Sequence, residues 1–195
     1  NYGSLMTMDV NNVTGRTIGI DALVWSGGRD HEINARGDVV GTTGQGINVE
    51  ADAGSRNIVI QTNNVTGGTD GIRVEANGSG SLQISSTGSV TGTSADGIYA
   101  YNASTTTDLM IGTAEVTGGR HGIAAFNYGK GSTSISSTGK LTGKANNGVY
   151  AYNGGATTEL TIDVADVNGR VNGIEAYNNG LGSTSIASTG TATSE

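Results

Sequence analysis

The chain contains no cysteine and no proline among its 195 residues. Without cysteine there is no disulfide, thiolate metal site or thiol nucleophile, and the chain can cross an oxidising compartment unfolded without mispairing. Charged residues make up only 14% and aromatic residues 5%. So little charge does not fit a chain kept disordered by self-repulsion, and no apolar run approaches the roughly 18 residues that span a bilayer. Basic residues are outnumbered, 10 against 17, which leaves a net charge of −7. The basic face that nucleic acid or an anionic membrane surface requires is therefore missing. No charged-then-apolar leader opens at Asn1 and both ends fall in mid-repeat. Residues 1–195 are accordingly expected to form one unit cut from a longer mature protein.

Glycine is abundant, with 34 residues, and it recurs at regular intervals. The segment Gly97-Ile98-Tyr99-Ala100-Tyr101-Asn102 returns at Gly122, Gly148 and Gly173, and more loosely at Gly71, Gly46 and Gly19. Those leading glycines lie 27, 25, 26, 25, 26 and 25 residues apart. A period this regular makes the chain a stack of equivalent units rather than a globule with one core.

Each unit holds three short apolar segments. One is an alternating pair such as Ile58-x-Ile60, Leu109-x-Ile111 or Leu160-x-Ile162, which weakens where His31, Thr133 or Thr184 takes the first place. Next comes the series Val13, Val39, Val65, Val90, Val116, Leu141, Val167 and Ala192. The Gly-Ile-x-Ala segment is the third. Alternation over two to five residues, punctuated by Gly, Asn, Asp, Ser and Thr, is the pattern of short strands joined by tight turns. No helical period is sustained.

Three strands in every 25–26-residue rung, over about 7.5 rungs, predict an all-β fold, a parallel β-helix. At the ~4.8 Å spacing of paired strands it would be a rod roughly 35 Å long. Residues 40–90, 91–141 and 142–192 align without gaps, so the larger unit is a double rung of 51 residues. Duplication of that double rung explains the regularity without invoking a site.

This frame places several candidate sites. Asn102, Asn127, Asn153 and Asn178 share an inward register, and are expected to form a ladder whose amides bond from rung to rung, with a ligand-binding row as the alternative. Tyr101, Phe126, Tyr152 and Tyr177 precede them and should face outward, with Tyr99 and Tyr150 two residues earlier on the same face. Such a stripe stiffens the rod through ring contacts and also has the composition of a binding surface. Glu50 and Glu75 fall near 5 Å apart on neighbouring rungs, like a retaining glycosidase pair; a solvated acidic edge relieved by Arg73 is the simpler reading. Asp70 and Asp96 precede glycines, where turn chemistry accounts for them.

His31 and His121 lie more than three rungs apart and cannot form a pair. No Ser or Thr stands with a His and an acid at rung spacing. The calcium nonapeptide pattern occurs once, degenerate, at Ser26-Gly27-Gly28-Arg29-Asp30. No catalytic, metal or cofactor site is expected. Sequons at Asn12, Asn64, Asn77 and Asn102 reflect turn composition.

In its Gly-Ile-Tyr-Ala-Tyr-Asn and Ile-Ser-Ser-Thr-Gly phrasing, its Gly/Ser/Thr/Asn-rich rungs, its lack of Cys and its acidic balance, the chain resembles the passenger domain of bacterial autotransporters, the type V secreted proteins. The resemblance covers the whole chain. It implies a right-handed parallel β-helix displayed at the bacterial cell surface, following a signal peptide and preceding an outer-membrane barrel. It also implies an adhesin or self-association module whose partner is another copy or a host surface protein or glycan. A passive stalk presenting another domain is the alternative. A polysaccharide-degrading β-helix fits less well, because near-constant rungs leave no room for long cleft loops. An ice-binding helix would repeat Thr-x-Thr on every rung, whereas Thr133 and Thr184 alternate with Leu109 and Leu160.

Overall fold

The computed structural model describes residues 5–25 and 29–194. Ser26, Gly27 and Gly28, the first half of the calcium-like run, lie outside the described residues. Period-two alternation settles the local structure. In Ile72–Ala76 the residues Ile72, Val74 and Ala76 are buried while Arg73 and Glu75 reach solvent. All the regular structure among the described residues is strand, and every strand pair is parallel.

The strands make one sheet of 14 and another of seven. Each rung gives two strands to the larger sheet and one to the smaller, as in Ile58–Thr62, Val65–Gly67 and Ile72–Ala76. The fold is thus a parallel β-solenoid of about seven turns. In two rungs the first pair of strands runs together, as Leu82–Gly92 and Leu109–Gly118. Between Ser86 and Ser89 the register shifts, so that Thr87 and Gly88 stand opposite Ala114 alone. A bulge of this kind at one corner helps make alternate rungs unlike.

The core is a set of ladders. Ile20, Ile47, Ile72, Ile98, Ile123, Val149 and Ile174 are successive register partners. Val39, Val65, Val90, Val116, Leu141 and Val167 form another, each at most 1% exposed. Burial of one such side chain contributes about 1.5–3 kcal/mol, and every rung repeats it.

The glycines of the corners are required by contact. A Cβ on Gly118 would lie 1.7 Å from the His121 carbonyl oxygen, and one on Gly97 would lie 2.3 Å from Val116 Cγ1. Only a residue without a side chain lets the chain fold back so closely.

The asparagine column is where sequence expectation and structure part. Asn102, Asn127, Asn153 and Asn178 are register partners, and the first three are fully buried. Their amides do not bond one another. Each Nδ2 reaches across the following turn to a backbone carbonyl at the start of the next strand: Asn102 to Asp108 at 3.0 Å, Asn127 to Ser132 at 3.1 Å, Asn153 to Glu159 at 3.1 Å and Asn178 to Ser183 at 3.2 Å. The rung-to-rung ladder is corrected to a series of turn clamps. A carbonyl beside a strand end needs a partner, and the amide meets it within its own rung. Among the described residues, the one side-chain link between rungs along this column runs through Thr133, whose Oγ1 accepts from Asn127 Nδ2 at 3.1 Å and donates to Asn153 Oδ1 at 2.5 Å. Ala51 and Ala76 hold this register upstream and leave those rungs apolar.

Candidate functional site

The smaller sheet presents the aromatic residues. Strand alternation sends Tyr99 and Tyr101, Phe126, Tyr150 and Tyr152, and Tyr177 to its outer face, half-buried except for the exposed Tyr177. In register, Tyr101, Phe126, Tyr152 and Tyr177 form one column, and Tyr99, Ala124, Tyr150 and Glu175 the other.

The rings do not stack along those columns. They contact diagonally, Tyr99 with Phe126 at 5.6 Å, Phe126 with Tyr150 at 5.4 Å and Tyr150 with Tyr177 at 6.0 Å between centroids. Ala124 is the cause: between Tyr99 and Tyr150 it leaves a gap, and the Phe126 ring contacts the tyrosines on either side. Ala124 is in consequence only 1% exposed although it sits on the outer face. A second row runs beside the first, Tyr101 to Tyr128 at 5.5 Å and Tyr128 to Tyr152 at 5.3 Å.

Tyr128 and His121 complete the surface, and sequence reasoning placed neither there. Tyr128 lies one residue past its strand and His121 two residues before it, outside the alternation that identified the others. His121 meets Tyr150 at 5.6 Å. Tilts of 42–55° between neighbouring rings make a herringbone and avoid the face-to-face sandwich that aromatic quadrupoles disfavour. Two of the hydroxyls are held within the chain: that of Tyr177 donates to Glu175 at 2.6 Å and that of Tyr152 accepts from Asn179 Nδ2 at 3.0 Å.

Charged groups finish both ends of the strip. At the lower end the Arg73 guanidinium lies 4.5 Å above the Tyr99 ring and is paired with Glu75. Glu50 and Glu75 are register partners as expected, but they are engaged separately, Glu50 accepting from Asn48 Nδ2 at 3.5 Å. At the upper end Glu175 accepts from the Tyr177 hydroxyl and from Asn147 Nδ2, each at 2.6 Å. Those hydrogen bonds, the Tyr177 one first, hold the Glu175 carboxyl below its ordinary range.

Beside the strip runs a corner of acceptors, Asp70 and Asp96 buried and His121 half-buried. Each turn hands its backbone N–H to the side chain of the turn below: Asp96 N–H to Asp70 Oδ1 at 3.0 Å, His121 N–H to Asp96 Oδ1 at 3.1 Å and Asn147 N–H to His121 Nδ1 at 3.4 Å. Turn chemistry accounts for Asp70 and Asp96 as expected, with one addition. Asp96 is fully buried, and Arg120 from the next rung covers it through Nε and Nη2. Burial raises Asp70 above the usual carboxylate range and lowers His121 below the usual imidazole range, so His121 accepts as the neutral ring.

Among the described residues, no group of three or more His, Cys, Asp or Glu is placed to hold a metal ion. Among the described residues no helix is long and apolar enough to cross a membrane. His31 packs inward on the first-strand ladder opposite Ile58, far along the chain from His121. No protein-family model matches the chain, and neither a curated protein nor a solved structure matches it.

Proposed function

We propose that the chain is part of a surface-displayed adhesive rod, the passenger of an autotransporter, whose aromatic strip is its binding face. One observation supports this reading: a continuous run of tilted ring contacts, mostly between tyrosines, extends over four rungs on the outer face of the smaller sheet. Tyrosine gives large, rigid, amphipathic contact area with little entropy lost on binding. Such a strip suits a protein surface, either a second copy on another cell or a host protein. Weak contacts repeated on successive rungs add into avidity. No chemical step is assigned to it, and the rod acts by holding.

The mutual ring contacts also favour a second reading, in which the strip only stiffens a passive stalk. Sedimentation of the purified chain over a concentration series separates the two, with Tyr101, Tyr152 and Tyr177 all changed to Ser in the variant. Association that rises with concentration and disappears in the variant supports a self-associating adhesin. A monomer moves the question to host proteins, tested by attachment to protein-coated surfaces. Attachment equal in wild type and folded variant sinks the binding face and leaves the stalk.

A further inference from the structure

The two rows of rings differ in one chemical respect. Phe126 interrupts the first, so that Tyr99 and Tyr150 each meet a ring without a hydroxyl. In the second, three phenols on successive rungs touch in series, Tyr101 to Tyr128 at 5.5 Å and Tyr128 to Tyr152 at 5.3 Å. Among the described residues these are the closest contacts between phenols, since Tyr150 and Tyr177 stand 6.0 Å apart. Tyr128 is common to both.

Its surroundings favour reaction at that ring. Tyr128 follows its strand, in a register that holds Trp25, Asp52, Asn77, Ala103, Gly154 and Asn179 on the other rungs. Gly154, directly above, makes the room: a Cβ there would press on the ring, 3.3 Å from Tyr128 Cδ1. Tyr128 is 39% exposed, so an oxidant arriving from solvent reaches it, while Tyr101 and Tyr152 lie half-buried on either side. Side chains that compete for oxidation are elsewhere. The chain has no cysteine, Met6 and Met8 belong to the first rung, and Met110 faces out from the larger sheet. Trp25 stands four rungs below, ~19 Å away at the strand spacing.

We infer that Tyr128 is the site of an oxidative modification, an intramolecular dityrosine that joins it to Tyr152 first and to Tyr101 second, formed by a peroxide-driven one-electron oxidant of the haem peroxidase class. Each phenol gives up one electron and one proton and becomes a phenoxyl radical. The two radicals pair their electrons in a C–C bond between ring carbons next to the hydroxyls, and the hydrogens on those carbons move to the oxygens. Two phenols thus become one biphenol by loss of two electrons and two protons, which reduce one hydrogen peroxide to two waters. Ring contact holds the partners together and makes the coupling unimolecular. In a chain without disulfides the new bond is a covalent staple between rungs, and like any such link it restrains the unfolded chain. It requires no binding partner, so it stands apart from the adhesive reading of the strip.

The test is treatment of the purified, dilute chain with hydrogen peroxide and a haem peroxidase, followed by dityrosine fluorescence, denaturing electrophoresis and tryptic mass spectrometry. Trypsin cuts after Arg73, Arg120, Lys130, Lys144 and Arg170, which puts Tyr101, Tyr128 and Tyr152 in separate peptides, residues 74–120, 121–130 and 145–170. The expected product is a monomer lighter by two hydrogen atoms, with peptide 121–130 joined to 145–170 and, in smaller amount, to 74–120. It should unfold at higher urea than the untreated chain. Tyr128→Phe keeps the ring and should cut the intramolecular product at least fivefold, whereas Tyr99→Phe, in the interrupted row, should leave it unchanged. Cross-links only between chains, equal intramolecular yield in wild type and Tyr128→Phe, or no dityrosine under conditions that couple free tyrosine would overturn the inference.

Discussion

Replacing Asn127 by Ala should cost far more stability than replacing Asn102, although the two are register partners on neighbouring rungs. The Asn127 side chain makes three hydrogen bonds: to the Ser132 carbonyl and Thr133 Oγ1, each at 3.1 Å, and from the Gly129 N–H at 2.9 Å. At about 1 kcal/mol net for each, Asn127→Ala loses about 3 kcal/mol. Asn102 makes one, to the Asp108 carbonyl at 3.0 Å, and its Oδ1 is buried without a partner. Alanine gives up about 1 kcal/mol there but relieves an orphaned carbonyl of similar or larger cost, so the net change stays within about 1 kcal/mol. Ala76 already occupies this register one rung below and shows that the backbone accepts it. Urea unfolding followed by circular dichroism reads both variants, with the slope compared to confirm that one transition is being measured. Double-mutant cycles add a second criterion. Asn127 and Asn153 should couple through Thr133, while Asn102 and Asn127 should be additive. Equal losses at the two sites, or strong coupling between Asn102 and Asn127, would refute the turn-clamp account and restore a rung-to-rung ladder.

The remaining expectations follow from the same geometry. Burial keeps His121 neutral, against the pull of Asp96 and with Arg120, Glu175, Asn146 and Tyr150 around it. Its contribution is therefore fully present above the ordinary imidazole value of about 6.5 and is lost as pH falls below it. The urea midpoint should drop between about pH 7.5 and pH 5, and His121→Asn, the residue at this corner in Asn147 and Asn172, should remove part of that drop. His31, also lowered by burial, supplies a share that remains. Gly118→Ala puts a Cβ 1.7 Å from the His121 carbonyl oxygen and should cost about 3 kcal/mol or more by thermal unfolding. A wild-type midpoint would show that the corner can open. Arg73→Ala removes a solvent-reached ion pair and a cation–π contact and should cost no more than about 1 kcal/mol. A larger loss would mean that the lower end of the strip depends on it.

How much could be read from the chain differed from element to element. The ladders Ile20 to Ile174 and Val13 to Val167 were legible to the residue, because strand alternation and the repeat length together fix which side chains face inward. The outward placement of the tyrosines followed from the same rule. Alternation says which way a side chain points and nothing of what the turns bring to it. The partners of the asparagines were missed for that reason, since their acceptors lie across a turn five or six residues on. The herringbone depends on the small Ala124, and its second row on Tyr128, which stands where other rungs have Ala103, Gly154 or Asn179. A lone aromatic among small turn residues was the available signal. Asp96 read as an ordinary turn residue because burial at a corner comes from stacking corner on corner. The adjacent Arg120, one rung on, was the sign that a carboxylate there needed covering.

The most direct test of the adhesive strip is attachment of cells displaying the chain, to one another and to protein-coated surfaces, with the strip intact or carrying the three Tyr→Ser changes. The account predicts that the variant, displayed at equal density and resisting protease as wild type does, loses most of the attachment that wild type shows. Attachment by the folded variant at the wild-type level would contradict it.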